Sequence, residues 1–177
     1  MTAFVISDTH WFHINIIKFC RPQFTSLEFM NELMINNWNR TIKPNDTVYH
    51  VGDVAFGGGK SRKERLTEVM PRLNGKKKLC MGNHDHDPSI YAPYFSDIGS
   101  SFELTIGGKE LFLCHYPIHF SEGDNHVNDS TLNIHGHIHN HLTGNPRHVN
   151  VCVEHTDYAP VAIEDIASGK FKNKRIV

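Results

Sequence analysis

No run of apolar residues in this chain approaches the roughly 18 needed to cross a bilayer as a helix. The apolar stretch at the N-terminus stops at Asp8 and no basic segment precedes it, so neither a membrane span nor a secretory leader is expected. An excess of one charge is also missing, with 18 Lys and Arg against 19 Asp and Glu. The chain therefore has no general attraction for nucleic acid or an anionic membrane, and must catch any polyanionic substrate locally. Cysteine is sparse: Cys20, Cys80, Cys114 and Cys152 form no Cys-x-x-Cys pair, and three of them lie in short apolar runs. Free thiols in a reducing, cytoplasmic setting are the simpler expectation. Repeats, linkers and low-complexity segments are absent too, which at 177 residues points to one domain spanning 1–177.

What is present alternates short apolar runs with amphipathic stretches. Ala3 to Ser7, Thr47 to Val51, Lys78 to Met81, Thr131 to Ile134 and Val149 to Val153 read as short strands. Between Ser26 and Ile42 the apolar residues Leu27, Met30, Leu33, Met34, Trp38 and Ile42 recur at helical spacing. Ser26 suits the N-cap, and Pro44 lies beyond the end. A charged helix is expected from about Ser61 to Leu73 and a short one near Ile163 to Ala167. Ser101 to Ile106 and Lys109 to Cys114 flank Gly107-Gly108, a pair able to take positive φ in a tight hairpin. The expected class is α/β or α+β with a largely β core.

Histidine is unusually frequent: 14 copies, largely gathered in short clusters. Five segments share one pattern, an apolar strand running into a turn of Gly, Asp, Asn or His. They are Asp8-Thr9-His10, Gly52-Asp53, Gly82-Asn83-His84-Asp85, His115, and Gly136-His137-Ile138-His139. In an extended or gently turning segment, residues two apart face the same way, so Asp8 with His10, and His137 with His139, could each grip a metal from one side. Imidazole, carboxylate and amide donors without thiolate suit divalent Mn, Fe, Zn, Ni or Co, with Mn the leading choice. Seven such donors exceed one coordination sphere, so two ions activating a bridging water for attack on phosphorus are expected.

The order and spelling of these segments resemble the calcineurin-like metallophosphoesterases. The wider run from Asp8 to Ile17, Arg21-Pro22 and Asn37-Trp38-Asn39 is similar to a branch of small, uncapped prokaryotic and phage members. That resemblance implies a double β-sheet sandwich flanked by helices. It places Asp8, His10, Asp53 and His139 on one ion and Asp53, Asn83, His115 and His137 on the other, with Asp53 as bridge. His84 would lie over the substrate as acid or charge stabiliser. The protein Ser/Thr phosphatase spelling Gly-Asp-x-x-Asp-Arg is replaced here by Gly52-Asp53-Val54-Ala55-Phe56-Gly57, which argues against a phosphoprotein substrate. A small phosphodiester or nucleotide is favoured over nucleic acid, and a non-catalytic scaffold is the rival from another class.

Several residues carry two readings. His13 and Arg21 could touch substrate or serve the loop; Asp85 could orient His84 or cap the next turn. His119, His126, His141 and His155 could rim the site or sit in exposed loops, while His50 and His135 fit packing within strands. Lys76 and Lys77 fit a solvated strand start. Gly57-Gly58-Gly59-Lys60-Ser61 is no phosphate-binding P-loop, because the first required glycine is Val54.

Overall fold

In the computed structural model, residues 1–56, 62–119, 130–173 and 176 are described; the glycine loop 57–61 and His126 lie outside them. Two sheets form. The first contains β1 (Ala3–Ile6), β2 (Thr47–His50), β3 (Lys76–Cys80), β4 (Asp97–Gly99) and β9 (Val161–Ala162), in the order β4-β3-β2-β1-β9. Its first four strands are parallel, and β9 is antiparallel to β1. The second contains β5 (Ser101–Ile106), β6 (Lys109–Cys114), β7 (Leu132–His135) and β8 (His148–Asn150), in that order. The β5–β6 hairpin turns through Gly107 and Gly108 at φ 57° and 77°, a conformation glycine adopts without steric cost. Phe102 and Leu104 pair with Leu113 and Leu111 as the alternation requires.

Strand alternation divides the apolar residues between two layers. Ile6, Val48 and Leu79 face one way, onto Met30, Met34, Trp38 and Leu66. These last residues come from α2 (Leu27–Thr41) and α3 (Arg62–Val69). Val5, Tyr49, Val51 and Cys80 face the other way, onto Leu111, Leu113 and Ile134 of the second sheet and Ile163 and Ile166 of α4 (Ile163–Ala167). Each such side chain, fully buried, contributes roughly 1.5–3 kcal/mol of transfer free energy. Ser26 caps α2 by accepting from the Phe29 N–H at 3.1 Å. All four cysteines are free thiols, and among the described residues no helix is long and apolar enough to cross a membrane.

Three elements were not expected: α1 (Ile14–Phe19), β4 and β9. The charged helix is shorter than its pattern, since Pro71 closes it into a 3-10 turn over Met70–Arg72. Lys77 is not solvated; its ammonium donates to the Leu73 and Gly75 carbonyls at 2.7 and 3.0 Å. The sheets meet where Ser7 bridges to Cys152, so the C-terminal ends of β1, β2, β3, β6 and β7 open at one place.

Candidate metal centre

Asp8 follows β1, Asp53 follows β2, Asn83 and His84 follow β3, His115 follows β6, and His137 and His139 follow β7. The loops after β1 and β2 run side by side: Asp8 N–H donates to the Gly52 carbonyl at 3.0 Å and His10 N–H to the Asp53 carbonyl at 3.1 Å. This is not the extended geometry expected from spacing. Asp8, His10, Asp53, His137 and His139 all have φ between 46° and 70°, in the left-handed region, where a non-glycine residue is uncommon and mildly strained. Asp8 and His10 still converge on one group, whereas His137 and His139 part. His139 turns toward Asp8, with Nε2 3.8 Å from Oδ1, while His137 turns to Asn83, its Nδ1 2.9 Å from Oδ1.

Both carboxylates are divided in use. Asp8 Oδ2 accepts from Ser7 Oγ at 2.5 Å, His137 N–H at 3.0 Å and Cys152 Sγ at 3.2 Å; Asp8 Oδ1 is buried with no hydrogen-bond partner. Asp53 Oδ1 accepts from His84 N–H at 2.9 Å. Asp53 Oδ2 faces three imidazole Nε2 atoms, those of His115, His10 and His84, at 3.5, 3.6 and 3.9 Å. One oxygen of each is held by the fold, and the other points into the centre.

Three glycines permit this closeness. A Cβ at Gly52 would lie 2.4 Å from His115 Nδ1, at Gly82 2.3 Å from Asp53 Oδ1, and at Gly136 2.1 Å from Asp8 Oδ2.

The imidazoles are oriented from behind. His115 Nδ1 bonds the Val51 carbonyl at 2.9 Å, leaving Nε2 toward Asp53 and 3.0 Å from Asn83 Oδ1. His139 Nδ1 bonds Glu154 Oε1 at 3.1 Å. Both nitrogens of His10 are buried without partners, and its Nε2 is 3.6 Å from Asp8 Oδ1. Without an ion, the carboxylates and imidazoles stabilise one another's charged forms. Burial would raise the Asp8 carboxyl, but the adjacent His10 imidazole and the charges of His115 and His139 hold it well below its usual range. Burial would lower His115, but Asp53 and Asp8 lift it to about 9.

The donor set fits divalent ions. Donors held about 2.0–2.2 Å from one ion at angles between right and tetrahedral stand roughly 2.8–3.6 Å apart, and the spacings above lie at or just beyond that range. Asp8, His10 and His139 form one group able to hold a cation, and Asp8, Asp53 and His115 another. Asn83 Oδ1 and His137 Nδ1 adjoin the second through His115.

Other sequence-based assignments change. Arg21 is fully buried: it donates to Glu154 at 2.8 Å and to the Asp8 and Thr9 carbonyls. It supports the first loop and does not reach substrate. Asp85 is also buried and does not orient His84; its oxygens accept from the N–H groups of Asp53, Val54 and Gly82 at 2.7, 3.1 and 3.0 Å. Nor does it cap the next turn, which Asp87 caps by accepting from the Ser89 N–H. His84 is about one-third exposed, with the Phe56 ring edge-on at 4.9 Å. Burial pulls its imidazole below the ordinary range, more than Asp53 raises it. His13 stacks on Phe56 at 3.9 Å, and burial with nearby His10 takes its pKa to about 4. His155 is buried and no loop residue; His119 and His141 are exposed. His50 bonds Thr9 Oγ1, and His135 bonds the Gly136 carbonyl.

Glu154 and Arg62 were missed. Arg62 donates to the His84 carbonyl and to the Tyr91 hydroxyl. Glu154 ends the apolar run Val151 to Val153, repeating the pattern of the other ligand segments, and that was its available signal.

Residues 1–153 match the family model of the calcineurin-like phosphoesterase superfamily domain. An uncharacterised protein of Methanocaldococcus jannaschii is 34% identical over 169 residues, 91% of this chain and 86% of that one. The gene 66 protein of Mycobacterium phage L5 is 25% identical, over 75% of each chain. A crystal structure of an Aquifex aeolicus protein of unknown function is similar at a TM-score of 0.75 and 30% identity, covering 94% of this chain and 98% of that one.

Proposed function

The chain belongs to the calcineurin-like phosphoesterase superfamily, hydrolases of phosphate esters, and on that premise we propose that it works with two divalent ions on a small phosphodiester or nucleotide. The observation that carries the two-ion reading is Asp53 Oδ2, which stands 3.6 Å from His10 Nε2 and 3.5 Å from His115 Nε2. A single oxygen between two imidazoles of different loops supports the reading of Asp53 as a shared ligand. Asp8, His10 and His139 would hold one ion with it, and Asn83, His115 and His137 the other. Bound there, the ions supply Lewis acidity that activates water and offsets phosphoryl charge, and manganese suits the mixed imidazole and oxygen donors.

The chain's own groups do the rest. His84 stands at the open side of the centre and reaches the ester from there, with Nε2 free to donate a hydrogen bond or proton to the departing oxygen. Asp53 Oδ1 holds the His84 backbone while Arg62 holds its carbonyl, so the imidazole's origin is fixed. Tyr116, 44% exposed, stands edge-on to His115 and His137 at 5.0 and 4.9 Å, with Phe56 on the His84 side. Aromatic rings at both ends favour a substrate with a flat substituent, such as a nucleotide, over a phosphoprotein.

Elemental analysis after reconstitution, with turnover of mono-, di- and cyclic phosphate esters under Mn, Ni, Co, Zn and Mg, tests the reading. Two ions per chain and diester hydrolysis are expected. A stoichiometry that saturates at one overturns the two-ion centre, and loaded protein without turnover points to a binding scaffold.

A further inference from the structure

The geometry points to Glu154 as a positioning residue that, locked by Arg21, selects the tautomer of His139 and thereby sets the affinity of the first ion independently of the second. The inference rests on the two-ion reading above. Glu154 and Arg21 are almost completely buried, with side chains 2% and 0% exposed. Their pairing joins three segments distant in sequence: the turn after α1, the 3-10 turn Val153–His155 and the loop after β7. Replacing a buried ion pair with apolar residues is often neutral for stability or better, so the fold alone gives little reason for one at this place.

Position gives a reason. Glu154 Oε1 is 2.8 Å from Arg21 Nε and 3.1 Å from His139 Nδ1. A carboxylate can only accept, so Nδ1 carries the hydrogen and the His139 lone pair lies on Nε2. That is the nitrogen turned to Asp8 Oδ1. With the opposite tautomer, His139 would present an N–H where a donor lone pair is needed. Arg21 prevents the carboxylate from swinging away, and its other nitrogens grip the carbonyls of Asp8 and Thr9, so one guanidinium holds both halves of the first sphere in mutual register. The second sphere has a different support, the Val51 carbonyl behind His115, so the two affinities are set by separate parts. Glu154 Oε2 remains buried without a hydrogen-bond partner.

Manganese titration calorimetry of metal-free wild type, Glu154→Ala and Glu154→Gln, with nitrogen-15 spectra of the His139 ring, tests this. Removing an outer carboxylate of this kind lowers metal affinity about 10–100-fold. Glu154→Ala is expected to show that loss for the first ion, to leave the second unchanged and to mix the His139 tautomers. Glu154→Gln keeps an accepting oxygen and should recover most of the affinity with Nδ1 protonated. Equal losses at both ions, or a first-ion affinity unchanged in Glu154→Ala, would overturn the assignment. Should Glu154→Ala fail to fold, Glu154→Gln decides: a ring protonated on Nε2 with undiminished affinity refutes it. A wild type that binds one ion overturns the two-ion reading alone, because a drop in that ion's affinity on Glu154→Ala still supports the role of Glu154.

Discussion

Gly136→Ala isolates the closeness of the backbone to Asp8. The position is not in the left-handed region, unlike Gly52, so alanine meets no conformational penalty there and the effect is steric alone. The added carbon would lie 2.1 Å from both Asp8 Oδ2 and Ser7 Oγ, where real Cβ atoms essentially never come within 3.0 Å. The loop after β7 and the Asp8 carboxylate must therefore separate by about 1 Å, several times the roughly 0.2 Å tolerance of a metal–ligand distance. Asp8 Oδ2 would lose its bonds from Ser7 and the His137 N–H, and overpacking of this kind costs about 1–3 kcal/mol. A misplacement near 1 Å costs about 10²-fold in turnover. Thermal melts in chelator, manganese titration and diester turnover measure the three effects. Gly99→Ala is the matched control: the nearest atoms to its Cβ are at 3.6 and 3.9 Å, so stability should hold or rise by a few tenths of a kcal/mol. A Gly136→Ala protein with wild-type melting, metal affinity and turnover would refute the steric argument.

Asp53→Asn should weaken both ions together, whereas His10→Ala should chiefly affect the first and Asn83→Ala the second; equal effects of Asp53→Asn and His10→Ala in titrations would count against the bridge. His84→Ala should keep its metals and lose about 10² to 10⁴ in turnover, with an alkyl ester suffering more than a p-nitrophenyl ester if the imidazole protonates the leaving oxygen. Burial opposes ionisation of Glu154, yet Arg21 and His139 hold its carboxyl at about 2 against the usual 4.5. A depressed carboxyl stabilises the fold fully above the unfolded pKa and loses that contribution as pH falls toward the folded one. The advantage of wild type over Glu154→Gln, at most about 3 kcal/mol, should thus shrink from pH 4.5 downward in urea titrations; growth on acidification would contradict the sign.

The strands that carry the centre were legible because each is a short apolar run that stops at a polar turn, and the hairpin because a glycine pair takes two successive positive φ values without steric cost. Six-residue α1 was not, since Ile14 to Phe19 buries only Ile16 and offers no stripe. Strands β4 and β9, three and two residues long, take their identity from neighbours. Spacing alone paired Asp8 with His10 rightly but misjudged His137 and His139, which the left-handed loop turns toward different neighbours. Arg21 and Glu154 are 133 residues apart; what each does is visible only after the sheets have met.

The division of labour within Asp8 and Asp53 has a thermodynamic consequence. With one oxygen of each already engaged by Ser7, Cys152 and backbone N–H groups, the ligand frame exists before any ion arrives, and loading needs no chain ordering. Stabilisation by an ion is then plain mass action: metals of equal dissociation constant raise the melting temperature equally at equal concentration, whatever their radius. A frame that cannot reshape itself also discriminates little among ions of similar size. Intrinsic affinity then follows the ordinary rise from manganese toward copper, and the occupant is whichever ion the surroundings supply in excess.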